Sequence, residues 1–193
     1  MNEDVISKLY KYAELLKKAP QLKIVLMEKP DSPKFMEKQI FEAQFYFPYI
    51  RDGAAVLDIG SGGGFPGIPL AVMKENAKFI LVDRKKRHID FLRTVVEELG
   101  IRNVALLQCE AENLPRRLKD IKVDVVCARA VSRVKNILTW ANPVLRCDGK
   151  VVLGKGKEIE KEIKDASELP FILQEIKNTP FGHIVVYAKY CEK

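Results

Sequence analysis

The sequence predicts an α/β fold: a doubly wound, mostly parallel sheet with a C-terminal antiparallel strand and an N-terminal helical extension. From Ala54 onward, short runs rich in Val, Ile and Leu alternate with longer amphipathic stretches. Such alternation is typical of βαβ units, whose helices cover both faces of a parallel sheet. Residues 1–50 show helical spacing instead, and the chain closes on two strand-like runs joined by a short turn.

The predicted elements follow this pattern in order. One helix covers the N-terminal stretch, where apolar residues recur every three to four positions, and a second runs from about residue 33 to about residue 48. The predicted strands are Ala54–Ile59, Lys78–Asp83, Val104–Gln108, Val123–Ala128 and Lys150–Gly154. The predicted helices between them are Pro66–Lys74, Lys85–Leu99, Ala111–Lys119 and Arg133–Arg146. The last two strands are "PFILQEIKNTP" and "GHIVVYAKY". We expect an extension over residues 1–50 and one α/β domain over residues 51–193.

Composition places the chain among globular proteins. It has 193 residues, of which 47% are hydrophobic and 31% charged, values typical of one folded domain with a short appendage. No apolar run approaches the ~20 residues that cross a bilayer, and the N-terminus lacks the layout of a signal peptide. We therefore expect no membrane association, and nothing in the sequence requires more than a monomer.

The four cysteines are scattered and lack a metal-binding spacing. Cys109, Cys127, Cys147 and Cys191 form no C-x-x-C pair, and no histidine lies near them at ligand spacing. Cys127 falls within an apolar strand, which favours a small core residue. We expect no bound metal and a cytoplasmic location.

The net charge of +7 and the pI near 9.2 favour an anionic partner. Basic residues that neutralise phosphates bind nucleic acid through counterion release. The alternative is a solvated basic surface without a partner. The candidate RNA-binding residues are Arg84, Lys85, Arg133, Lys155 and Lys157.

The stretch "VLDIGSGGGFPGIPL" (Val56–Leu70) admits two cofactors. Gly62–Gly67 satisfies G-x-G-x-x-G, the fingerprint of dinucleotide binding, whereas Asp58–Gly64 has the form D-x-G-x-G-x-G. An acid inside the strand would repel a pyrophosphate but suits a cofactor with a sulfonium and an ammonium. In either case Asp83, which ends the second strand, can accept both ribose hydroxyls. We therefore favour S-adenosylmethionine over NAD, and with it a Rossmann-like class I methyltransferase fold.

Two further residues extend this candidate site. The segment "QCEAENL" after the third strand offers Glu112 to an adenine edge. Arg129 leaves the fourth strand at its carboxyl end, where ligands bind in open α/β sheets. Simpler interpretations stay open for several positions: Asp58 as a cap of the glycine loop, Asp83 as a helix cap, Phe65 as a packing residue, Glu112 as a solvated helix residue, Arg129 as a loop residue and Lys155 as a surface charge.

The order of these motifs resembles a known family. The stretches "VLDIGSGGGFPGIPLAV", "LVDRKKRHIDFLRTVVEELGIRNV", "VDVVCARAV" and "GKVVLGKG" are similar to the 16S ribosomal RNA guanine-N7 methyltransferase family, also named glucose-inhibited division protein B. The Phe-Pro-Gly-Ile-Pro continuation is more specific than the glycine loop itself. The similarity covers roughly Ala54 to Gly156.

The resemblance implies methyl transfer from S-adenosylmethionine to N7 of the guanine numbered 527 in 16S ribosomal RNA. S-adenosylhomocysteine would be the product, and the RNA or the 30S subunit the partner. Together with the glycine motif, it implies the cofactor-binding residues Asp58, Gly60, Ser61, Gly62, Gly64, Phe65, Asp83, Ala111, Glu112 and Arg129. Guanine N7 carries an unprotonated lone pair at neutral pH, so we expect no acid–base catalyst and take Arg129 as the candidate positioning residue.

Two positions depart from the family pattern. Gln39–Ala43 stands where the family carries His-x-x-Asp-Ser, and Glu110 replaces the arginine before the Ala-Glu pair. The alternative function is a class I methyltransferase that acts on a small molecule or a protein. An NAD-type nucleotide-binding module is a further alternative.

Overall fold

The computed structural model describes residues 3–19, 22, 34–156 and 159–191. Two helices, α1 (Glu3–Lys17) and α2 (Phe35–Gln44), precede the sheet. The strands are β1 (Ala55–Ile59), β2 (Lys78–Asp83), β3 (Val104–Gln108), β4 (Val123–Arg129), β5 (Leu145–Lys155), β6 (Phe171–Thr179) and β7 (Gly182–Lys189). The remaining helices are α3 (Gly67–Met73), α4 (Lys86–Glu98), α5 (Leu114–Leu118), α6 (Val134–Ala141) and α7 (Glu160–Asp165). Short 3-10 helices cover Phe47–Tyr49 and Ala111–Asn113.

The seven strands form one sheet in the order β3-β2-β1-β4-β5-β7-β6. Strands β3, β2, β1, β4 and β5 pair in parallel, and β7 pairs antiparallel with both β5 and β6. The predicted α/β fold and its antiparallel C-terminal strand are therefore confirmed. The antiparallel strand lies inside the sheet, however, and β6 forms the edge. The strand order reverses between β1 and β4, which is where ligands bind in such sheets.

Two element boundaries differ from the prediction for a physical reason. The predicted helix Arg133–Arg146 ends at Ala141, and the following strand begins at Leu145 instead of Lys150. Pro143 has no N–H to donate to a helical carbonyl, so the hydrogen-bond ladder of the helix cannot continue through it. The chain therefore leaves the helix at this point and enters β5 early.

Side chains of the central strands alternate between two cores, one on each face of the sheet. Val56 belongs to the core that α1, α2, α3 and α4 cover, and its neighbour Leu57 belongs to the core under α5 and α6. This alternation follows from the two-residue repeat of a strand. The N-terminal helices thus share a core with the sheet: Leu9 and Tyr12 of α1 are buried with Ile68 of α3.

Two cysteines that showed no pairing signal in the sequence form a disulfide. Cys147 and Cys191 are 44 residues apart in the chain, and their Cα atoms lie 5.7 Å apart. The register of β5 with β7 pairs Lys150 with Ala188, and its continuation by three residues places Cys147 opposite Cys191. Cys127 is a free and buried core residue, as expected.

Among the helices that the structure describes, none is long and apolar enough to cross a membrane.

Candidate functional site

A cavity of about 410 Å³ opens at the carboxyl ends of β1, β2 and β4. We call it the loop cavity, because the glycine-rich turn after β1 forms its floor. Eight of the predicted cofactor residues line it: Gly60, Ser61, Gly62, Phe65, Asp83, Ala111, Glu112 and Arg129. The two predicted RNA contacts Arg84 and Lys85 lie in the same wall.

Backbone hydrogen bonds fix the glycine turn against β2. Gly60 N and Ser61 N both donate to Val82 O, at 2.8 and 2.9 Å. Gly60 adopts φ +71°, and a Cβ there would lie 2.6 Å from a methyl carbon of Val131. Only glycine combines that backbone conformation with so close an approach to a neighbouring loop. The turn therefore presents bare backbone to the cavity.

Asp58 and Gly64 lie behind the turn and are absent from the cavity wall. Asp58 is 1% exposed; its Oδ2 accepts a hydrogen bond from Gly67 N at 3.2 Å, and its Oδ1 has no hydrogen-bond partner among the described residues. Burial raises the pKa of Asp58 to about 7. A Cβ on Gly64 would lie within 2.9 Å of Ile68 and Tyr12 atoms, so this glycine faces the core. The capping interpretation of Asp58 matches its position.

Asp83 joins the turn to the start of α4. Its Oδ2 accepts from Gly62 N at 2.9 Å, and its Oδ1 accepts from Lys85 N at 2.8 Å. His88 Nδ1 lies 3.0 Å from the same Oδ2. Asp83 thus caps the start of α4, and it also lines the loop cavity. Oδ1 can accept a further hydrogen bond, because a carboxylate oxygen has two lone pairs.

The far side of the loop cavity includes residues that sequence patterns did not place there. His88, Cys109 and Trp140 line it together with Glu110. Glu110 Oε1 lies 3.8 Å from Arg84 Nη1, so the acid that departs from the family pattern faces a cation on the cavity rim. Trp140 comes from α6, and no local motif marks it as a site residue.

Arg129 connects the cavity to the N-terminal helices. Its Nη1 donates to Gln39 Oε1 at 2.8 Å and to Glu42 Oε2 at 2.6 Å. Its guanidinium carbon lies 5.0 Å from the centroid of the Phe65 ring. Burial raises the pKa of Glu42, and the charge of Arg129 opposes that shift. The two residues of α2 in the departing segment therefore hold the predicted positioning residue.

Helix α1 supports the glycine turn from the opposite side. The buried Tyr12 hydroxyl donates to Gly63 O, and the Tyr12 ring lies 5.2 Å from the Phe65 ring. Phe65 thus packs between Tyr12 and Arg129 while it lines the cavity, so its packing and site interpretations both apply.

A second cavity of about 490 Å³ adjoins the first. We call it the β5 cavity, because the end of β5 lies in its wall. The two cavities share Arg129, Ala130 and Val131. The predicted RNA contacts Arg133 and Lys155 also line the β5 cavity, whereas Lys157 lies outside the described residues.

Lys155 is bound internally. Its Nζ donates to Ser132 O at 2.5 Å and to Glu162 Oε2 at 2.6 Å, and its side chain is 8% exposed. Glu162 Oε2 also accepts from Val134 N at 2.9 Å. These bonds hold the loop between β4 and α6, which forms the wall shared by the two cavities. Within the described ranges, no cluster of three or more His, Cys, Asp or Glu could hold a metal ion.

Solved structures share this fold. A SAM-dependent methyltransferase from Aquifex aeolicus matches with a TM-score of 0.63 at 19% identity, over 89% of this chain and 98% of that one. A ribosomal protein L11 methylase from Lactobacillus delbrueckii matches with a TM-score of 0.63 at 16% identity, over 80% and 78% of the two chains. Both likenesses concern the fold.

Sequence relatives identify the family. A protein named ribosomal RNA small subunit methyltransferase G from Streptomyces coelicolor is 36% identical over 81% of this chain and 64% of its own length. One of the same name from Clostridium novyi is 30% identical over 97% of this chain and 82% of its own length. The Streptomyces and Corynebacterium relatives are matched over only 64–65% of their length. The family model described as rRNA small subunit methyltransferase G (GidB) matches residues 5–184, so this chain belongs to that family.

Proposed function

We propose that this protein transfers a methyl group from S-adenosylmethionine to N7 of guanine 527 in 16S ribosomal RNA. The observation that carries the proposal is the pair of adjoining cavities at the strand-order reversal, separated only by the Arg129–Val131 wall. The loop cavity has a glycine turn and, at the end of β2, an acid that could bind the ribose, as in a class I methyltransferase. The β5 cavity has a basic lining. Family membership supports the same activity.

The loop cavity suits S-adenosylmethionine, which supplies an electrophilic methyl group on a sulfonium. Bare backbone at Gly60 and Gly62 permits close approach, and a side chain at Gly60 would close the space against Val131. Asp83 would accept the ribose hydroxyls, and Ala111 and Glu112 would lie at the adenine. Asp58 and Gly64 would shape the turn from behind. Membership of a methyltransferase family argues against the NAD-type alternative.

The chemistry requires alignment more than proton transfer. Guanine N7 already presents a lone pair, so no residue has to remove a proton before attack. Positioning of two reactants alone can supply about 7–11 kcal/mol of a barrier. Arg129, held by Gln39 and Glu42 between the two cavities, would position the reacting groups and keep water out. Residues 51–193 would form the methyltransferase domain, with residues 1–50 as a helical extension that supports it.

The partner would be 16S RNA or the 30S subunit, bound by a monomer in the cytoplasm. The net charge of +7 supports a polyanionic partner. Arg84, Lys85 and Arg133 would contact phosphates, and Lys157 would join them. Lys155 would act mainly by holding the shared wall. Cytoplasmic thiols are mostly reduced. In the cell we therefore expect the Cys147–Cys191 disulfide to be open, so that both thiols are alkylated when living cells are treated with a thiol reagent.

Transfer of labelled methyl groups tests this proposal. Purified protein and labelled S-adenosylmethionine would be offered 30S subunits from cells that lack the endogenous enzyme. We expect label in the RNA, with RNA binding that weakens by about 0.7–0.9 log units per log unit of salt for each phosphate contact. Label in RNA-free extracts instead would favour the small-molecule or protein alternative. Calorimetric heat with NAD and none with S-adenosylhomocysteine would contradict the proposed cofactor.

A further inference from the structure

We propose that the β5 cavity is the pocket for the target nucleotide and that Phe181 stacks on its guanine base. This inference rests on the proposed function, because it names where the acceptor of the methyl group lies. No sequence motif pointed to Phe181, which lies in the turn between β6 and β7 and lines the β5 cavity.

The position of the cavity meets the first requirement of an acceptor pocket. Arg129, Ala130 and Val131 belong to both cavities, so a base in the β5 cavity would lie directly beside a cofactor in the loop cavity. The volume of about 490 Å³ lies within the range of pockets that enclose small ligands. A single flipped nucleotide therefore has room beside the cofactor.

The lining has the chemistry that recognises an unpaired nucleotide. Three cations, Arg129, Arg133 and Lys155, line the cavity against two carboxylates, Glu42 and Glu162. Each carboxylate accepts a bond from one of these cations. Arg133 at the exposed rim is placed for a phosphate. Proteins read single-stranded RNA by stacking its bases on aromatic rings and holding its backbone with cations.

The turn that bears Phe181 is fixed in place. Phe181 N donates to Thr179 Oγ1 at 3.2 Å, and Thr179 Oγ1 donates to Gly182 O at 3.3 Å. Gly182 has φ +132°, and a Cβ there would lie 2.1 Å from Lys155 O. The turn therefore lies directly on the end of β5. A turn held this firmly loses little conformational entropy when a base stacks on the ring that it bears.

A neighbouring ring provides a matched control. Phe41 contacts Phe181 edge to face, with centroids 6.3 Å apart, and does not belong to the cavity lining. Phe41→Ala therefore removes the same ring–ring contact as Phe181→Ala, together with the contact between Phe41 and Phe45, but leaves the proposed stacking surface. Phe181→Tyr keeps an aromatic face in the cavity.

Two measurements on the full chain test the inference. We expect Phe181→Ala to lower kcat/KM for 30S subunits by roughly 5- to 150-fold, the loss that corresponds to one base–aromatic stack. Phe181→Tyr and Phe41→Ala should stay near the wild-type value, and S-adenosylhomocysteine affinity should be the same in all four proteins. Equal losses in Phe181→Ala and Phe41→Ala, or wild-type activity of Phe181→Ala, would overturn the inference.

A binding readout separates this inference from the proposed function. Saturation-transfer NMR with guanosine 5′-monophosphate and the S-adenosylhomocysteine-saturated protein should give a signal for wild type and Phe181→Tyr that Phe181→Ala loses. If wild type bound the nucleotide in this way but methylated no RNA, the pocket would stand and the proposed function would fall. If wild type methylated RNA and nucleotide binding ignored Phe181, the pocket assignment would fall alone.

Discussion

Asp58→Asn should change how the stability of the protein depends on pH. The Asp58 carboxyl is buried beneath the glycine turn, and its pKa is raised from 3.8 to about 7, chiefly by burial. Between these values the folded protein retains a proton that the unfolded chain has released. The free energy of unfolding that Asp58 contributes is therefore fully present below pH 3.8 and is lost as pH rises through 7.

The size of this loss follows from the shift. The difference between the folded and unfolded pKa values corresponds to about 4 kcal/mol at about 1.36 kcal/mol per unit, of which about 2.5 kcal/mol disappears between about pH 5 and about pH 8. Asparagine keeps an oxygen for Gly67 N and does not titrate in this range. The free energy of unfolding of wild type minus that of Asp58→Asn should thus fall by about 2.5 kcal/mol over this range.

Urea denaturation at a series of pH values measures this difference. The matched control is Asp52→Asn, which makes the same chemical change at an exposed acid. The free energy of unfolding of wild type minus that of Asp58→Asn could instead stay constant from about pH 5 to about pH 8. That result would show that the buried carboxyl does not titrate in this range, and it would refute the reasoning.

Three further perturbations have defined outcomes. Gly60→Ala should weaken S-adenosylhomocysteine binding in calorimetry at least roughly 5-fold, the equivalent of about 1 kcal/mol, because the added Cβ, 2.6 Å from Val131, displaces the turn that receives the cofactor. Gly53→Ala, also at positive φ but with open space, should leave that affinity unchanged; equal losses would contradict the close approach. Glu42→Gln should lower the free energy of unfolding by about 3 kcal/mol, because a buried cation loses its partner; a loss below about 1 kcal/mol would contradict this. Reduction of the Cys147–Cys191 disulfide should lower the free energy of unfolding by about 4 kcal/mol for a loop of this length. The loss should appear as a lower Tm, and an unchanged Tm would contradict a stabilising role of the disulfide.

The sheet was predictable from local patterns, because buried parallel strands are continuous apolar runs bounded by helices. Strands β2 and β3 have the predicted bounds. The place of β7 between β5 and β6 was not predictable in the same way. That order depends on a hydrogen-bond register between segments distant in the chain, as does the Cys147–Cys191 disulfide.

The wall of the loop cavity was also largely predictable from the sequence. Glycines at strict positions and an acid at a strand end have few other physical uses, and Gly60, Gly62 and Asp83 do line the loop cavity. The partners of Arg129 were not visible, because Gln39 and Glu42 are about ninety residues away and meet it only when α2 packs on the sheet.

The departing segment therefore has a structural explanation that its sequence alone did not offer. Glu42 stands where the family carries an acid and pairs with Arg129 at 2.6 Å. Gln39 stands in place of a histidine and accepts from the same guanidinium. In this chain, both residues of the departing segment thus contact Arg129.

The position of the methyl group in the product tests the central claim most directly. 16S RNA from 30S subunits incubated with this protein and S-adenosylmethionine would be treated for N7-specific strand scission and mapped by primer extension. We predict a single new break at guanine 527 that requires both protein and cofactor. Methyl transfer at another base, or none by a protein that binds S-adenosylhomocysteine, would contradict the proposed function and leave only the fold and the family.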